Sequence, residues 1–304
     1  MNQIILFYKY VSIESPKQMI VWQKKLCQSL GLKGRIIIAH EGINGTLGGQ
    51  EQNIESYKTQ MLAHPLFTDI DFKESKNTAH HFPRLRIVPK QEIVNLGIDP
   101  SLVSATQAGI HLEPKNAHEL IAQKPQDLLI LDCRNQVESA IGRIEGALNP
   151  PVKHFREFPS YVDQNPEVFK DKTVLMYCTG GVRCERASAY IKQKNVAKEV
   201  YHIKGGIHRY VQEFPAGFFK GKNYVFDGRV AVKVTDDILG TCLICDASCD
   251  EYTNCLHAKC NRHFIGCSTC INKYQNTCSI TCADIILHYP DLKRPHPTKS
   301  YELP

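Results

Sequence analysis

The sequence lacks several features that would assign it to common classes of protein. No apolar run approaches the roughly 20 residues that a membrane-spanning helix needs. The N-terminal segment has no basic stretch followed by a long apolar core, so it predicts a first strand rather than a signal peptide. No internal repeat or low-complexity segment is present. The sequence therefore predicts a cytoplasmic protein with no membrane contact.

Motifs for the common redox cofactors are also missing. No Gly-rich dinucleotide fingerprint follows a predicted strand, so neither a flavin nor NAD is indicated. No two-histidine, one-carboxylate spacing for iron is recognisable in the sequence. Any redox chemistry would have to come from other groups.

The first 90 of the 304 residues alternate between strands and helices. The pattern predicts strands at 4–10, 35–39, 43–47, 70–73 and 82–88 and helices at 16–30 and 50–63. This is the βαββαβ order of a ferredoxin-like fold, which acylphosphatases share. The Gly-rich, Arg-bearing loop that follows the first strand of an acylphosphatase is absent, so we assign no catalysis to this domain.

The N-terminal third carries most of the net charge of +6, with 12 Lys+Arg against 7 Asp+Glu in residues 1–90. Arg84 and Arg86 alternate on a predicted strand and would share a face. That face is either a solvated surface or a contact for RNA phosphates. The residues alone favour the solvated surface.

A second domain of α/β type is predicted over residues 127–215, with buried parallel strands at 128–132, 173–177 and 199–203. A short loop follows the middle strand and leads into a helix: Cys178, Thr179, Gly180, Gly181, Val182 and Arg183. Small residues let successive backbone N–H groups point inward and form an anion-binding concavity, to which the helix N-terminus adds positive potential. A cysteine there has a lowered pKa and acts as a nucleophile. The alternative, a structural cysteine in a tight turn, does not account for the Gly-Gly pair and Arg183.

Nine of the 13 cysteines lie between Cys242 and Cys282. Without Cys249 they form four pairs: Cys242 with Cys245, Cys255 with Cys260, Cys267 with Cys270, and Cys278 with Cys282. The spacing predicts two structural Cys₄ zinc sites. It does not fix which pairs share an ion; one arrangement, that of cross-braced modules, has pairs one and three on one ion and pairs two and four on the other. A disulfide cluster and an iron–sulfur cluster are the alternatives. His257 and His263 are left out of the ligand set.

The central domain resembles the rhodanese family over roughly residues 115–215. The resemblance is carried by the segment 131–135 with Glu138, the segment 141–147, the Cys178 loop and the Lys204-Gly205-Gly206 turn. In that family the loop cysteine carries sulfur as a persulfide. Asp132 and Arg134 resemble its structural acid–base pair, and Cys184 could join Cys178 in a disulfide or polysulfide.

A resemblance to the bacterial tRNA uridine(34) hydroxylase family covers nearly the whole chain. It rests on the segment 41–46, Glu92-Ile93-Val94, the loop with the following Cys184-Glu185, the segment 225–230 and the cysteine-rich tail. It implies hydroxylation of the wobble uridine of tRNA at C5 with molecular oxygen as co-substrate, and an essential Cys178. Cys133 departs from the threonine that the family more often has.

The predicted organisation is therefore an RNA-binding ferredoxin-like domain (1–92), a linker (93–120), a rhodanese-like catalytic domain (121–220) and a cysteine-rich zinc module with a tail (221–304). The expected partner is tRNA, and a protein that donates sulfur or electrons is a possible second one. A sulfurtransferase that uses Cys178 as a persulfide carrier is the alternative enzyme. A zinc-containing RNA-binding scaffold is the non-catalytic alternative, which the Cys178–Arg183 pair argues against.

Overall fold

The computed structural model describes residues 2–76, 82–227 and 229–295. The chain forms two compact units. The first comprises residues 1–137 and 144–218, and the second comprises residues 138–143 and 219–304. None of the helices within the described ranges is long and apolar enough to cross a bilayer.

The N-terminal part of the first unit is a five-stranded sheet with two helices. Its elements are β1 (Asn2–Tyr10), α1 (Pro16–Ser29), β2 (Lys33–Ala39), β3 (Gly42–Gln50), α2 (Glu51–Ala63), β4 (Asp71–Lys76) and β5 (Leu85–Pro89). The strand order is β4-β1-β3-β2-β5, antiparallel except for the β2–β5 pair. The first four strands and both helices make the predicted βαββαβ arrangement, and β5 extends the sheet beyond β2.

Helix α1 illustrates how local sequence sets these elements. The Ser15 hydroxyl caps its N-terminus by accepting from the Gln18 N–H, and Pro16 occupies the first turn, where no N–H is needed. Met19, Ile20 and Cys27 recur at helical spacing and are buried in the core with the inner face of the sheet. The helix ends one residue before the predicted Leu30, which is its C-cap.

Strand β5 begins at Leu85, three residues later than predicted. Pro83 has no N–H to donate to a neighbouring strand, so the ladder cannot start at Phe82. Arg84 therefore lies in a bend before the strand and Arg86 within it, and both are exposed. Arg86 is opposite Arg35 on β2, so the edge of the sheet carries neighbouring positive charges.

The second part of the first unit is built on a four-stranded parallel sheet, in the order β6-β10-β9-β7. Its elements, with β8 between them in the chain, are β6 (Ile110–Leu112), α3 (Pro114–Gln123), β7 (Leu128–Asp132), α4 (Gln136–Ser139), β8 (Gly142–Ile144), α5 (Phe158–Gln164), α6 (Pro166–Phe169), β9 (Thr173–Tyr177), α7 (Val182–Lys194), β10 (Glu199–Ile203) and α8 (Gly206–Glu213). Strands β7, β9 and β10 have the predicted bounds. Helices cover the sheet, and the mixed α/β fold class is confirmed.

A buried arginine on α7 fastens the segment between the two parts. Arg186 is fully buried, pairs with the Glu92 carboxylate and donates to the carbonyls of Val103 (3.0 Å) and Ile98 (2.6 Å). A buried guanidinium is stable only when its donors are satisfied in this way. The segment 92–103 is therefore held against the helix that begins at the Cys178 loop.

The Gly-rich turn after β2 holds the same segment from the other side. The Glu41 carboxylate accepts from the Ile93 N–H at 2.7 Å, and the Asn44 amide donates to the Ile93 carbonyl at 3.0 Å. Turn chemistry accounts for the glycines of this motif, but these contacts give Glu41 and Asn44 a separate role. They fix the path of the chain from the first sheet to the second.

The second unit contains short strands and two helices. Its elements after β8 are β11 (Phe219–Tyr224), β12 (Ala231–Lys233), β13 (Tyr252–Asn254), β14 (His263–Ile265), α9 (Ser268–Lys273) and α10 (Ile280–His288). Strands β12, β11 and β8 form one sheet, and β13 and β14 form an antiparallel pair. A small core in the cysteine-rich part consists of Phe264 packed with Cys255, Cys278 and Cys282.

Candidate active site

The loop from Cys178 to Gly181 connects β9 to α7 at the carboxyl edge of the parallel sheet. Gly181 has a φ of 102°, a conformation that favours glycine, and it turns the chain into the helix. Its N–H donates to the Cys178 sulfur at 3.1 Å. The Arg183 guanidinium donates to the Thr179 hydroxyl at 3.0 Å, which fixes its charge beside the loop. The loop thus places a backbone N–H group and the Arg183 guanidinium beside Cys178.

Cys178 is fully buried, and burial alone raises the pKa of a thiol. The pKa of Cys178 is nevertheless lowered from 9.0 to about 6, by a hydrogen bond from the Cys184 thiol, the charge of Arg183 and the backbone N–H groups of residues 183 and 184. At neutral pH the sulfur is therefore mainly a thiolate, which is the nucleophilic form.

The thiols of Cys184 and Cys133 lie close to this thiolate. The Cys184 thiol hydrogen-bonds with the sulfurs of both Cys178 and Cys133. Burial raises the pKa of Cys184 well above its ordinary value, and burial raises the pKa of Cys133 as well. One thiolate thus lies beside protonated thiols that hydrogen-bond with one another. The sequence singled out Cys184 by its proximity along the chain but gave no role to Cys133.

The Gly205-Gly206 turn supports the loop from behind. The N–H groups of Ile207 and His208 donate to the carbonyls of Cys178 (2.9 Å) and Thr179 (3.0 Å). A Cβ on Gly206 would lie 2.4 Å from the Cys178 carbonyl oxygen, and its φ of 63° also favours glycine. Only a glycine at position 206 leaves room for the carbonyl of Cys178, although the two residues are distant in the sequence.

Strand β1 covers the front of the loop. A Cβ on Gly180 would lie 2.5 Å from Leu6 Cδ2, and one on Gly181 would lie 2.8 Å from the Tyr8 hydroxyl oxygen. The two glycines therefore also allow the N-terminal sheet to approach the loop. Nothing in the sequence pattern linked β1 to Cys178.

Lys73 on β4 adds a cation to this side of the site. Its side chain is almost fully buried, pairs with the Asp71 carboxylate at 3.1 Å, and lies 4.4 Å over the Tyr8 ring. Burial lowers the pKa of Lys73, and the charges of Asp71 and Cys178 oppose that shift. The sequence gives no indication of a role for Lys73, because one lysine on an ordinary strand carries no distinguishing signal.

Asp132 and Arg134 lie together at the end of β7, as a fully buried pair. Arg134 donates from Nε and Nη2 to the two carboxylate oxygens of Asp132 at 2.9 and 2.7 Å. The Tyr177 hydroxyl donates to the same carboxylate at 3.0 Å, immediately before Cys178. The pair therefore anchors the end of β9, immediately before the Cys178 loop.

The eight tail cysteines gather into two groups of four. One group is Cys242, Cys245, Cys267 and Cys270, and the other is Cys255, Cys260, Cys278 and Cys282. This is the alternating, cross-braced pairing, and neither group includes Cys249. His257 lies 3.5 Å from the Cys282 sulfur through Nδ1, beside a group rather than in it.

The sulfur–sulfur distances fit a tetrahedral zinc ion. Zn–S bonds of about 2.3 Å place two sulfurs of a tetrahedron about 3.8 Å apart. The observed separations are 3.7 Å for Cys245–Cys267, 3.6 Å for Cys260–Cys278 and 3.9 Å for Cys278–Cys282. A disulfide would need about 2.05 Å, and these cysteines are free. Both groups are compatible with structural zinc.

Comparison with known proteins identifies three family models along the chain. These are the UPF0176 acylphosphatase like domain over residues 2–93, the Rhodanese-like domain over residues 113–213 and the Rhodanase C-terminal model over residues 220–283. The fold and the loop therefore define a rhodanese-domain protein with an acylphosphatase-like N-terminal domain and a cysteine-rich C-terminal extension.

Curated relatives narrow the class further. Proteins named tRNA uridine(34) hydroxylase from Onion yellows phytoplasma, Bacillus licheniformis and Streptococcus suis are 38%, 35% and 37% identical to this chain. Each alignment covers 92% of this chain and 92%, 88% and 88% of the respective relative. The chain belongs to the tRNA uridine(34) hydroxylase family, as the sequence resemblance predicted.

Proposed function

We propose that this protein is a tRNA-modifying enzyme that hydroxylates uridine 34 at C5 with molecular oxygen, and that Cys178 is its reactive residue. The observation that carries the proposal is a thiolate-stabilising loop in a chain that aligns over 92% of its length with named hydroxylases. A scaffold would not need a cysteine whose pKa is held near 6. The names of the relatives favour hydroxylation over sulfur transfer.

The reaction requires electrons as well as oxygen. When one atom of O₂ replaces hydrogen at C5 as a hydroxyl and the other leaves as water, two electrons and two protons must be supplied. Oxidation of the Cys178 thiolate and the Cys184 thiol to a disulfide releases two electrons and one proton, and solvent supplies the second proton. A persulfide on Cys178 would release the same two electrons on joining Cys184 as a trisulfide. A thiol reductant, the expected donor partner, then restores the pair.

The N-terminal domain is proposed to bind the tRNA backbone. Arg84 and Arg86 are exposed, and Arg86 lies beside Arg35 on the neighbouring strand. Such side chains contact phosphates, while a splayed anticodon base is read in a pocket. If both arginines contact phosphates, the double change to alanine weakens tRNA binding and lowers the salt dependence of log Kd by about one per lost contact. An unchanged salt slope would remove them from the interface.

The two Cys₄ groups are proposed to hold structural zinc. A closed set of four thiolates leaves no coordination position for a substrate, so the ions stabilise a module whose own core is small. They take no part in the reaction at Cys178.

The decisive test is mass spectrometry of nucleosides from tRNA of cells that lack the gene and are complemented with variants. Wild type and Cys249→Ser, a cysteine outside both metal groups, are expected to restore the extra oxygen on uridine 34 or its further-modified products. Cys178→Ser is expected not to. If the oxygen does not depend on the gene and a thiolated nucleoside disappears instead, the protein is a sulfurtransferase and the proposal is wrong.

A further inference from the structure

Three side chains outside the Cys178 loop meet where β6, β10 and α7 come together. His111 and His202 are opposite each other in the parallel β6–β10 register, so their side chains lie on the same face of the sheet. Helix α7 packs against β10 and contributes Glu185. One ligand atom from each of the three residues lies within 4.8 Å of the others. The fold thus assembles two imidazoles and one carboxylate.

The separations between these atoms are close to those of ligands on a shared metal ion, without matching them. His111 Nε2 is 2.9 Å from Glu185 Oε1, and His202 Nε2 is 3.8 Å from Glu185 Oε2. Bonds of about 2.1 Å at angles between octahedral and tetrahedral values place adjacent ligand atoms about 3.0 to 3.4 Å apart. Small side-chain adjustments are enough to bring all three onto one ion.

His202 supplies an independent reason to expect a ligand. It is fully buried, and neither of its ring nitrogens forms a hydrogen bond of normal geometry with the described residues, although the Gly109 backbone lies near the ring. Buried polar atoms in folded proteins nearly always have a partner, and leaving one unpaired is destabilising. A hydrogen-bonded array among the three residues would satisfy Glu185 and His111 but not His202.

The pKa shifts of His202 and Glu185 suit metal binding, whereas the hydrogen bond with Glu185 raises the pKa of His111, so an arriving ion would have to displace the proton of that imidazole. Burial lowers the pKa of His202 to about 4; the Glu185 carboxylate and the Gly109 backbone oppose this shift, while His111 adds to it. Burial raises the pKa of Glu185, but the His111 hydrogen bond and the two imidazoles outweigh it, so the net shift is downward. Neutral imidazole and ionised carboxylate are the forms that coordinate a cation.

We propose that His111, Glu185 and His202 bind one divalent first-row transition ion. The donor set is the two-histidine, one-carboxylate arrangement that suits iron(II) and leaves coordination positions free. The His111 side chain is 46% exposed and provides a route for the ion from solvent. The site itself is independent of the proposed hydroxylase function, but the choice of iron(II) over zinc rests on it.

The proposed ion lies one side chain away from the Cys178 loop. The Tyr8 hydroxyl donates to Glu185 Oε1 at 2.9 Å, while its oxygen lies against Gly181. Such outer partners orient a ligand carboxylate. Tyr8 therefore connects the proposed metal site to the loop that holds the thiolate.

The test uses full-length protein that is loaded with zinc and then treated with a mild chelator until about two zinc ions per chain remain, so that the Cys₄ groups are filled and the proposed third site is empty. One equivalent of iron(II) or cobalt(II) is added without oxygen, unbound ion is removed, and metals are counted per chain. Wild type is expected to retain one ion beyond its zinc. His111→Ala and Glu185→Gln are each expected to bind the additional ion at least tenfold more weakly and to keep their zinc. Tenfold is the lower bound because even residues that only hydrogen-bond a metal ligand cost about that much when they are changed. His154→Ala, an exposed histidine elsewhere in the domain, is the matched control.

Cobalt(II) also reports its ligands. Nitrogen and oxygen donors give weak visible bands, whereas thiolates add intense charge-transfer absorption in the near ultraviolet. No additional ion in wild type, equal retention by all variants, or a thiolate spectrum would each overturn the metal site. Hydroxylation by protein that retains no additional ion would reject the site and leave the proposed function intact. If the ion binds as expected but the oxygen on uridine 34 does not depend on the gene, the metal site stands and the proposed function is rejected.

Discussion

The lowered pKa of Cys178 allows a quantitative prediction. A fall from 9.0 to about 6 means that the folded loop favours the thiolate by about 4 kcal/mol, since each pKa unit is worth about 1.4 kcal/mol. An opposite charge within a few ångströms accounts for roughly one to three pKa units. Replacing Arg183 by methionine removes that charge at similar side-chain length. We therefore expect the pKa of Cys178 to rise to about 7 to 9 in Arg183→Met and to rise less in Arg183→Lys.

Alkylation by iodoacetamide, quantified by peptide mass spectrometry across a range of pH, measures this pKa. The rate follows the thiolate fraction, so it rises with pH and reaches half its plateau at the pKa. Burial of Cys178 slows the reaction at every pH by the same factor and leaves the midpoint unchanged. Cys27 is an internal control, because it is equally buried and burial raises its pKa to about 12.

Arg156→Met, which removes an exposed arginine outside the loop, is the matched control and should keep the wild-type midpoint. A wild-type midpoint above about 8, near that of an ordinary cysteine, would refute the electrostatic account of the loop. The same midpoint in Arg183→Met and wild type would refute the role given to Arg183.

Three further changes test other parts of the site. Cys184→Ala removes the thiol that donates to Cys178 and should raise the pH midpoint of Cys178 alkylation. Cys184→Ser keeps a donor and should leave that midpoint nearly unchanged, so equal midpoints in the two variants would contradict the role of Cys184. Asp132→Asn leaves the buried Arg134 guanidinium without its counter-charge and should lower the free energy of unfolding by about 3 to 5 kcal/mol in urea titrations; a loss under about 1 kcal/mol would contradict the buried pair. Cys242→Ser should reduce zinc from about two ions per chain to about one and expose the cysteine-rich module to proteolysis; full zinc retention would show that Cys242 is not a ligand.

Features set by neighbouring residues were predictable from the sequence. Strands β7, β9 and β10 begin and end where the apolar runs do, because each is a short buried segment bounded by turn-forming or charged residues. The Cys178 loop is equally local, since six consecutive residues determine an anion-binding turn between a strand and a helix. The four cysteine pairs follow from spacing, since the two members of a pair are close along the chain, whereas the structure decides which pairs join into a group of four.

Boundaries and long-range contacts were less predictable. The onset of β5 shifted because one proline lacks an N–H, a detail that apolar periodicity does not register. The covering of the loop by Leu6 and Tyr8 depends on how β1 meets a segment about 170 positions away in the sequence. No local pattern encodes such a meeting.

The sequence by itself determined the order of folds, the reactive loop and the eight thiol positions, because each depends on interactions within one element or one short spacing. The tertiary structure alone decided that His111, Glu185 and His202 meet. They lie on three separate elements, and 74 positions separate His111 from Glu185. A parallel sheet brings its strands together only after a crossover connection, so neither the strand register nor the helix packing that unites these three residues can be read from their spacing.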